Sequence, residues 1–251
     1  MDFINAKDCL NCGAAVDAPF CSQCGQQRAE RITLSRLFKI FQKGIFEFKS
    51  PLVTTLVGLT IKPSQVYFDY IHGKRISYFN PFKYSFWLLT LLIVVSTFFD
   101  TPIYDFSLAN IGTPEEEPML RELEVVMNSA MIYLYFLNGL FTALFYKLFF
   151  RKSGYSYAEL CIGSLLSFSH FTLVYTILII FGHYQNINTH FGTVLLLVAY
   201  QVWGMGGMFR PVSMSNYMKS FFASVLSVTL FSFISVFSIS VVLGFMAGMA
   251  E

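Results

Sequence analysis

Four cysteines near the start of the chain, Cys9, Cys12, Cys21 and Cys24, stand as two CxxC pairs separated by eight residues, each pair followed directly by a glycine, Gly13 and Gly25. Two thiolates at this spacing can approach one ion, the glycine permits the tight backbone turn, and two such knuckles close a tetrahedral four-thiolate site. Zn2+ is the expected occupant. Iron is the rival, since a tetrahedral sulfur set suits both metals; a redox dithiol would instead need one CxxC at a helix start in a larger fold. Four protein ligands leave no open position for water, so the site reads as structural rather than catalytic. The intervening "GAAVDAPF" is too poor in apolar residues to fold alone, whereas structural zinc supplies about 10–16 kcal/mol in peptide models.

A second set of candidate residues is uncharged. Asn138, His170 and Gln201 fall near the middles of three long apolar stretches, where polar groups are costly unless paired. Residues at similar depth could converge on a polar site. Interhelical hydrogen-bond glue is the favoured reading, because no Asp, Glu, Lys or Arg accompanies them to suggest an ion or proton relay. No Gly-x-Ser-x-Gly elbow, HExxH, P-loop or paired-carboxylate constellation is present, so nothing in the sequence argues for an enzyme.

The elements that must position these residues follow from composition. Over 251 residues only 13% are charged and 55% are hydrophobic, 29 of them Phe, and the mean hydropathy is +0.57. An average soluble domain carries about 25% charged residues, so an all-α polytopic membrane protein is expected. Five stretches approach the roughly 20 helical residues that cross a hydrocarbon core, near 82–99, 129–150, 158–181, 191–209 and 220–247. The segments between them alternate in charge. Sixteen of the seventeen Lys and Arg fall on one side and Arg121 alone on the other, which by the positive-inside rule puts the N-terminus in the cytoplasm and the C-terminus outside. Residues 1–30 do not read as a secretory signal, so the cysteines are expected in a reducing compartment and the protein in a bacterial inner membrane. The organisation is then a ribbon at 1–27, amphipathic and juxtamembrane helices at 28–81, and a five-helix membrane domain at 82–251.

In "TLSRLFKIFQKGIFEFKSP" the apolar residues Leu34, Leu37, Phe38, Phe41, Ile45 and Phe48 recur at helical spacing opposite Arg36, Lys39 and Lys43. Such a helix either lies among anionic headgroups or packs on the membrane domain. Ser50–Pro51 and Pro63–Ser64 are helix-start signals, and Gly73 is a stop. Lys74, Arg75 and Lys83, with Tyr78 beside them, suit an interface with anionic lipid, as anchors or as a headgroup site. The acidic segment between the first two stretches reads as a solvated face. "WGMGGMFRP", residues 203–211, is read as a helix end with packing glycines. The last stretch repeats small residues and ends in Gly244 and Gly248, a GxxxG spacing for internal packing or for a homo-oligomer face.

The order "CLNCG…FCSQCGQ", "RITLSRL" and "TLVGLTIKPSQVYFDYIHGKRISYFNPFKY" resembles a bacterial family known as domain of unknown function 3667, typical of Bacteroidota. The resemblance implies an N-terminal zinc ribbon on Cys9, Cys12, Cys21 and Cys24. It further implies a juxtamembrane signature of Tyr70, Gly73, Lys74, Arg75, Tyr78 and Pro81, then several membrane spans; it supplies no reaction. The topology is also loosely similar to the Yip family of trafficking adaptors. Residues 1–27 carry Asp2, Asp8 and Asp17 against Lys7, which disfavours a nucleic-acid surface. Membrane lipids and a cytoplasmic protein partner are the expected contacts. The leading expectation is a scaffold that presents the ribbon to that partner. The alternative is a lipid or small-molecule transporter built around Asn138, His170 and Gln201.

Overall fold

The computed structural model describes residues 8–28, 31–38, 52–99, 101, 137–185 and 190–250. The amphipathic stretch after Phe38, the Ser50–Pro51 start, the acidic segment apart from Thr101 and the first part of the second apolar stretch lie outside the described residues, and the surroundings of Gly244 and Gly248 are not described.

The architecture is helical. Its elements are α1 (Leu52–Ile61), α2 (Pro63–Ile71), α3 (Pro81–Phe98), α4 (Leu137–Phe149), α5 (Tyr157–Gln185), α6 (His190–Met208) and α7 (Met214–Ala250). Among the described residues β structure is confined to two isolated bridges, Asp8 with Ala15 and Phe20 with Gln27. Among the described residues, three of the five apolar stretches form helices long and apolar enough to cross a membrane: α3, α5 and Met214–Ser235 of α7. The other two yield shorter apolar helices, α4 and Gly192–Met208 of α6.

Helix α5 is the central post. Every residue from Ala158 to Thr172 is buried, as expected of a helix packed on all sides. Its start is a capping box: Ser156 Oγ accepts from the Glu159 N–H at 3.2 Å and Glu159 Oε2 accepts from the Ser156 N–H at 2.7 Å. Helix α3 runs parallel to it, because Ser85 bonds Ser169 and the Phe99 ring lies 5.1 Å from that of His183, both pairs 84 positions apart. In that register Pro81 stands level with Leu165, so the first two turns of α5, about 12 Å, project past the end of α3.

Helices α1 and α2 pack around this projecting end. Pro63 occupies the first turn of α2, and the chain leaves the helix through Gly73 at φ 111, so both sequence signals hold. Val66, Tyr67, Tyr70 and Ile71 turn inward to join Leu160, Ile162 and Met205 in the main core. On α1, Leu59 is buried while Val53, Val57 and Ile61 form an exposed apolar stripe at i, i+4 spacing. At about 15 Å, α1 is too short to span a bilayer. Helix α3 begins where Asn80 Oδ1 accepts from the N–H groups of Phe82 and Lys83, at 3.0 and 3.3 Å, with Pro81 in the first turn.

The glycines of "WGMGGMFRP" are packing positions. A Cβ on Gly204 would lie 2.7 Å from the Tyr67 ring, one on Gly206 2.7 Å from Tyr217, and one on Gly207 2.9 Å from Ser64. They let α2 and α7 close on α6. Gly204→Ala is therefore expected to lower the thermal midpoint of the detergent-solubilised chain, by overpacking of about 1–3 kcal/mol. Gly192→Ala, where no neighbouring atom would lie within 4 Å of the added Cβ, should leave it unchanged or raise it, since alanine is the better helix former; equal melting of the two variants in circular dichroism would contradict the packing role.

Candidate metal centre and the loop it rests on

The two CxxCG segments fold alike. In the first, the Cys9 N–H donates to Ala14 O at 2.6 Å and the Gly13 N–H to Cys9 O at 2.8 Å; in the second, the Cys21 N–H donates to Gln26 O and the Gly25 N–H to Cys21 O, both at 2.9 Å. Gly13 and Gly25 take φ of 77 and 72, the left-handed conformation glycine adopts without strain. The two bridges close the knuckles at equivalent positions.

These turns bring the four sulfurs together. All lie within 4.8 Å of one another, with Cys9 Sγ 3.5 Å from Cys24 Sγ and Cys12 Sγ 3.6 Å from Cys21 Sγ, and none is disulfide-bonded. Sulfurs bound tetrahedrally at the zinc–thiolate length of about 2.3 Å stand about 3.8 Å apart, so the set fits one ion. The backbone N–H groups of Cys24 and Gln23 pull the Cys21 thiol down to about 7. At Cys12 the Ala14 N–H also favours the thiolate, but desolvation and the sulfurs of Cys24, Cys21 and Cys9 outweigh it and push the thiol up to about 12. Four thiolates so close cannot all ionise without a cation among them, and a bound divalent ion supplies that charge.

The ribbon rests on the loop between α2 and α3. The buried Gln26 side chain donates from Nε2 to Gly73 O at 2.7 Å, and its Oε1 accepts from the N–H groups of Arg75 and Ile76 at 3.1 and 3.2 Å. From the other knuckle, Asn11 Oδ1 accepts from Ser77 Oγ. Beyond the ribbon, Arg31 donates to Gly154 O at 2.6 Å and lies 3.4 Å from Glu159 Oε1, while Ser156 Oγ donates to Ile32 O at 3.0 Å. Ile32 is fully buried in the main core. Glu159 has no exposed side-chain surface, a position a carboxylate tolerates only when paired.

The juxtamembrane residues are tied into the same region. Lys74 Nζ lies 3.5 Å from Asp69 Oδ2, whose atom also accepts from Tyr78 Oη at 3.0 Å. Arg75 donates from Nε to Tyr70 O at 3.4 Å. Lys83 is buried, with Nζ 5.6 Å from the centroid of the Phe79 ring, a cation–π geometry.

The three polar candidates of the apolar stretches fall into different groups. His170 Nδ1 is 2.7 Å from Tyr84 Oη and its Nε2 is 3.1 Å from Thr60 Oγ1, with the Tyr200 ring 5.6 Å away. Asn138 Oδ1 accepts from Thr142, which meets Ser227 at 3.0 Å. Gln201 is fully buried, and its backbone carbonyl faces Tyr146 Oη at 3.5 Å. Sequence reasoning missed Asn11, Gln26, Thr60 and Tyr84. The amides at least were visible as polar residues beside each knuckle, and "NP" at Asn80–Pro81 was a readable helix start.

The fold and site thus define an apolar helical protein with candidate membrane spans and a four-cysteine cluster able to hold a metal ion. A family model described as protein of unknown function (DUF3667) matches residues 50–99. That stretch holds α1, α2, the loop that seats the ribbon, and α3, and the match supports the resemblance; the cysteines lie outside it. No curated protein and no solved structure matches the chain.

Elemental analysis of the purified full chain is expected to find one divalent ion per chain. Cys21→Ser should lose most of it, and acidification should release it from the wild type, because thiolates must take up protons as the ion leaves. Full occupancy in the variant would remove Cys21 from the ligand set.

Proposed function

We propose that this chain is a five-span protein of a bacterial inner membrane, N-terminus in the cytoplasm and C-terminus outside. Its zinc ribbon, seated on the helices at the cytoplasmic face, is a docking platform for a protein partner. The observation that carries the reading is the double grip of the ribbon on residues 73–77 through Asn11 and Gln26. A closed four-thiolate site held as a fixed body suits presentation of a surface and offers no open ligand position for catalysis. Phe20, 58% exposed at the edge of the second knuckle, is an apolar contact of the kind partners use. The charge asymmetry between alternate segments supports the orientation, and the basic and aromatic residues at that face suit contact with anionic lipid.

The second reading, a transporter for a lipid or small molecule, draws on the polar group around His170. The separate partners of Asn138 favour the glue role instead. Crosslinking and affinity purification from native membranes separates the readings. The platform reading expects a specific partner with the wild type and its loss with paired Cys9→Ser and Cys12→Ser, the helical domain remaining folded. Undiminished capture by that variant would sink it, and a cellular defect in His170→Ala with capture intact would favour transport.

A further inference from the structure

The loop from Gly73 to Asn80 is tied at one end to the metal centre and at the other to three helices. Its contact with the ribbon comes from both knuckles, through Asn11 of the first and Gln26 of the second. Gln26, whose side chain reaches Gly73, Arg75 and Ile76, has its own carbonyl held by the Cys21 N–H, and among the described residues the apolar core of the knuckles is small, Cys9, Val16 and Cys21 with Ala14 and Cys24 beside them. From the loop the contacts run outward. Tyr78 Oη donates to Asp69 on α2 at 3.0 Å, the Phe79 N–H donates to the buried Thr55 Oγ1 on α1 at 2.6 Å, and Asn80 caps α3. Within eight residues the loop meets every helix of the stretch that the family model matches.

We infer that this loop reads the metal occupancy of the ribbon: with the ion bound, Gln26 and Asn11 clamp residues 73–77, and when the ion leaves, the knuckles open and the clamp releases the ends of α1, α2 and α3. A module this small, with so little apolar core, loses its fold with its metal. Three hydrogen bonds from one buried amide are then lost together. The freed ligand is the divalent metal itself, and the chain becomes a sensor of its availability. This inference rests on the metal site proposed above.

Lys74 and Arg75 make the loop its own reporter, since trypsin cuts after both once the backbone is released. The experiment uses the full chain in lipid nanodiscs with its metal content measured, before and after treatment with a chelator, beside metal-loaded Gln26→Ala. Cleavage after Lys74 and Arg75 is expected to rise about tenfold or more on metal removal, and to rise comparably in Gln26→Ala while its ion stays bound. If metal leaves and cleavage is unchanged, the sensing role is overturned and the metal site stands. If Gln26→Ala behaves as wild type, the clamp through Gln26 is overturned. If no metal is bound at the outset, the metal site itself fails and the sensor with it.

Discussion

Helix α5 outruns its parallel neighbour α3 by two turns, and those turns carry the buried apolar residues Leu160, Cys161 and Ile162 together with the buried carboxylate of Glu159. Covering them is what the N-terminal third of the chain does. Helices α1 and α2 supply apolar side chains, Ile32 inserts into the same core, and Arg31 brings the charge that Glu159 needs. A buried carboxylate without such a partner would be strongly destabilising. The ribbon in turn rests on the loop at residues 73–77.

This arrangement explains why a metal motif of soluble appearance sits on so apolar a chain. The ribbon has almost no core of its own, and the loop beneath it exposes backbone N–H and C=O groups that α2 and α3 leave unused. Gln26, an amide with both donor and acceptor, satisfies three of them. Each part thus supplies what the other lacks. The aromatic residues at the same end, with Phe150 stacked on Phe209 at 3.6 Å and Tyr155 at right angles to Phe209, pack the turn between α4 and α5 against the end of α6.

Much of this was legible in the residues. The CxxCG repeats announced the sulfur cluster, Pro63 and Gly73 bounded α2, and apolar length located α3, α5 and α7. What periodicity could not reveal is long-range. The groups that Gln26 bonds are 47 to 50 positions away and are backbone atoms, which carry no sequence signal. The cations of "GKR" and Lys83 suit headgroups when read locally; that the Arg75 Nε donates to the Tyr70 carbonyl and that Lys83 is buried with its ammonium beside the Phe79 ring are contacts the spacing does not reveal. Depth along a stretch likewise said little about neighbours: His170 is held by Thr60 and Tyr84 from helices at the near end of the bundle.

The central claim is that the ribbon is seated on the loop between α2 and α3. Amide hydrogen exchange of the Ile76 N–H group in the full metal-loaded chain tests it most directly, because that group donates to Gln26 Oε1, whereas the Arg75 N–H also donates to Gly73 O within the loop. The account predicts exchange as slow as that of the buried turns of α2. Exchange at the rate of an open loop would contradict it.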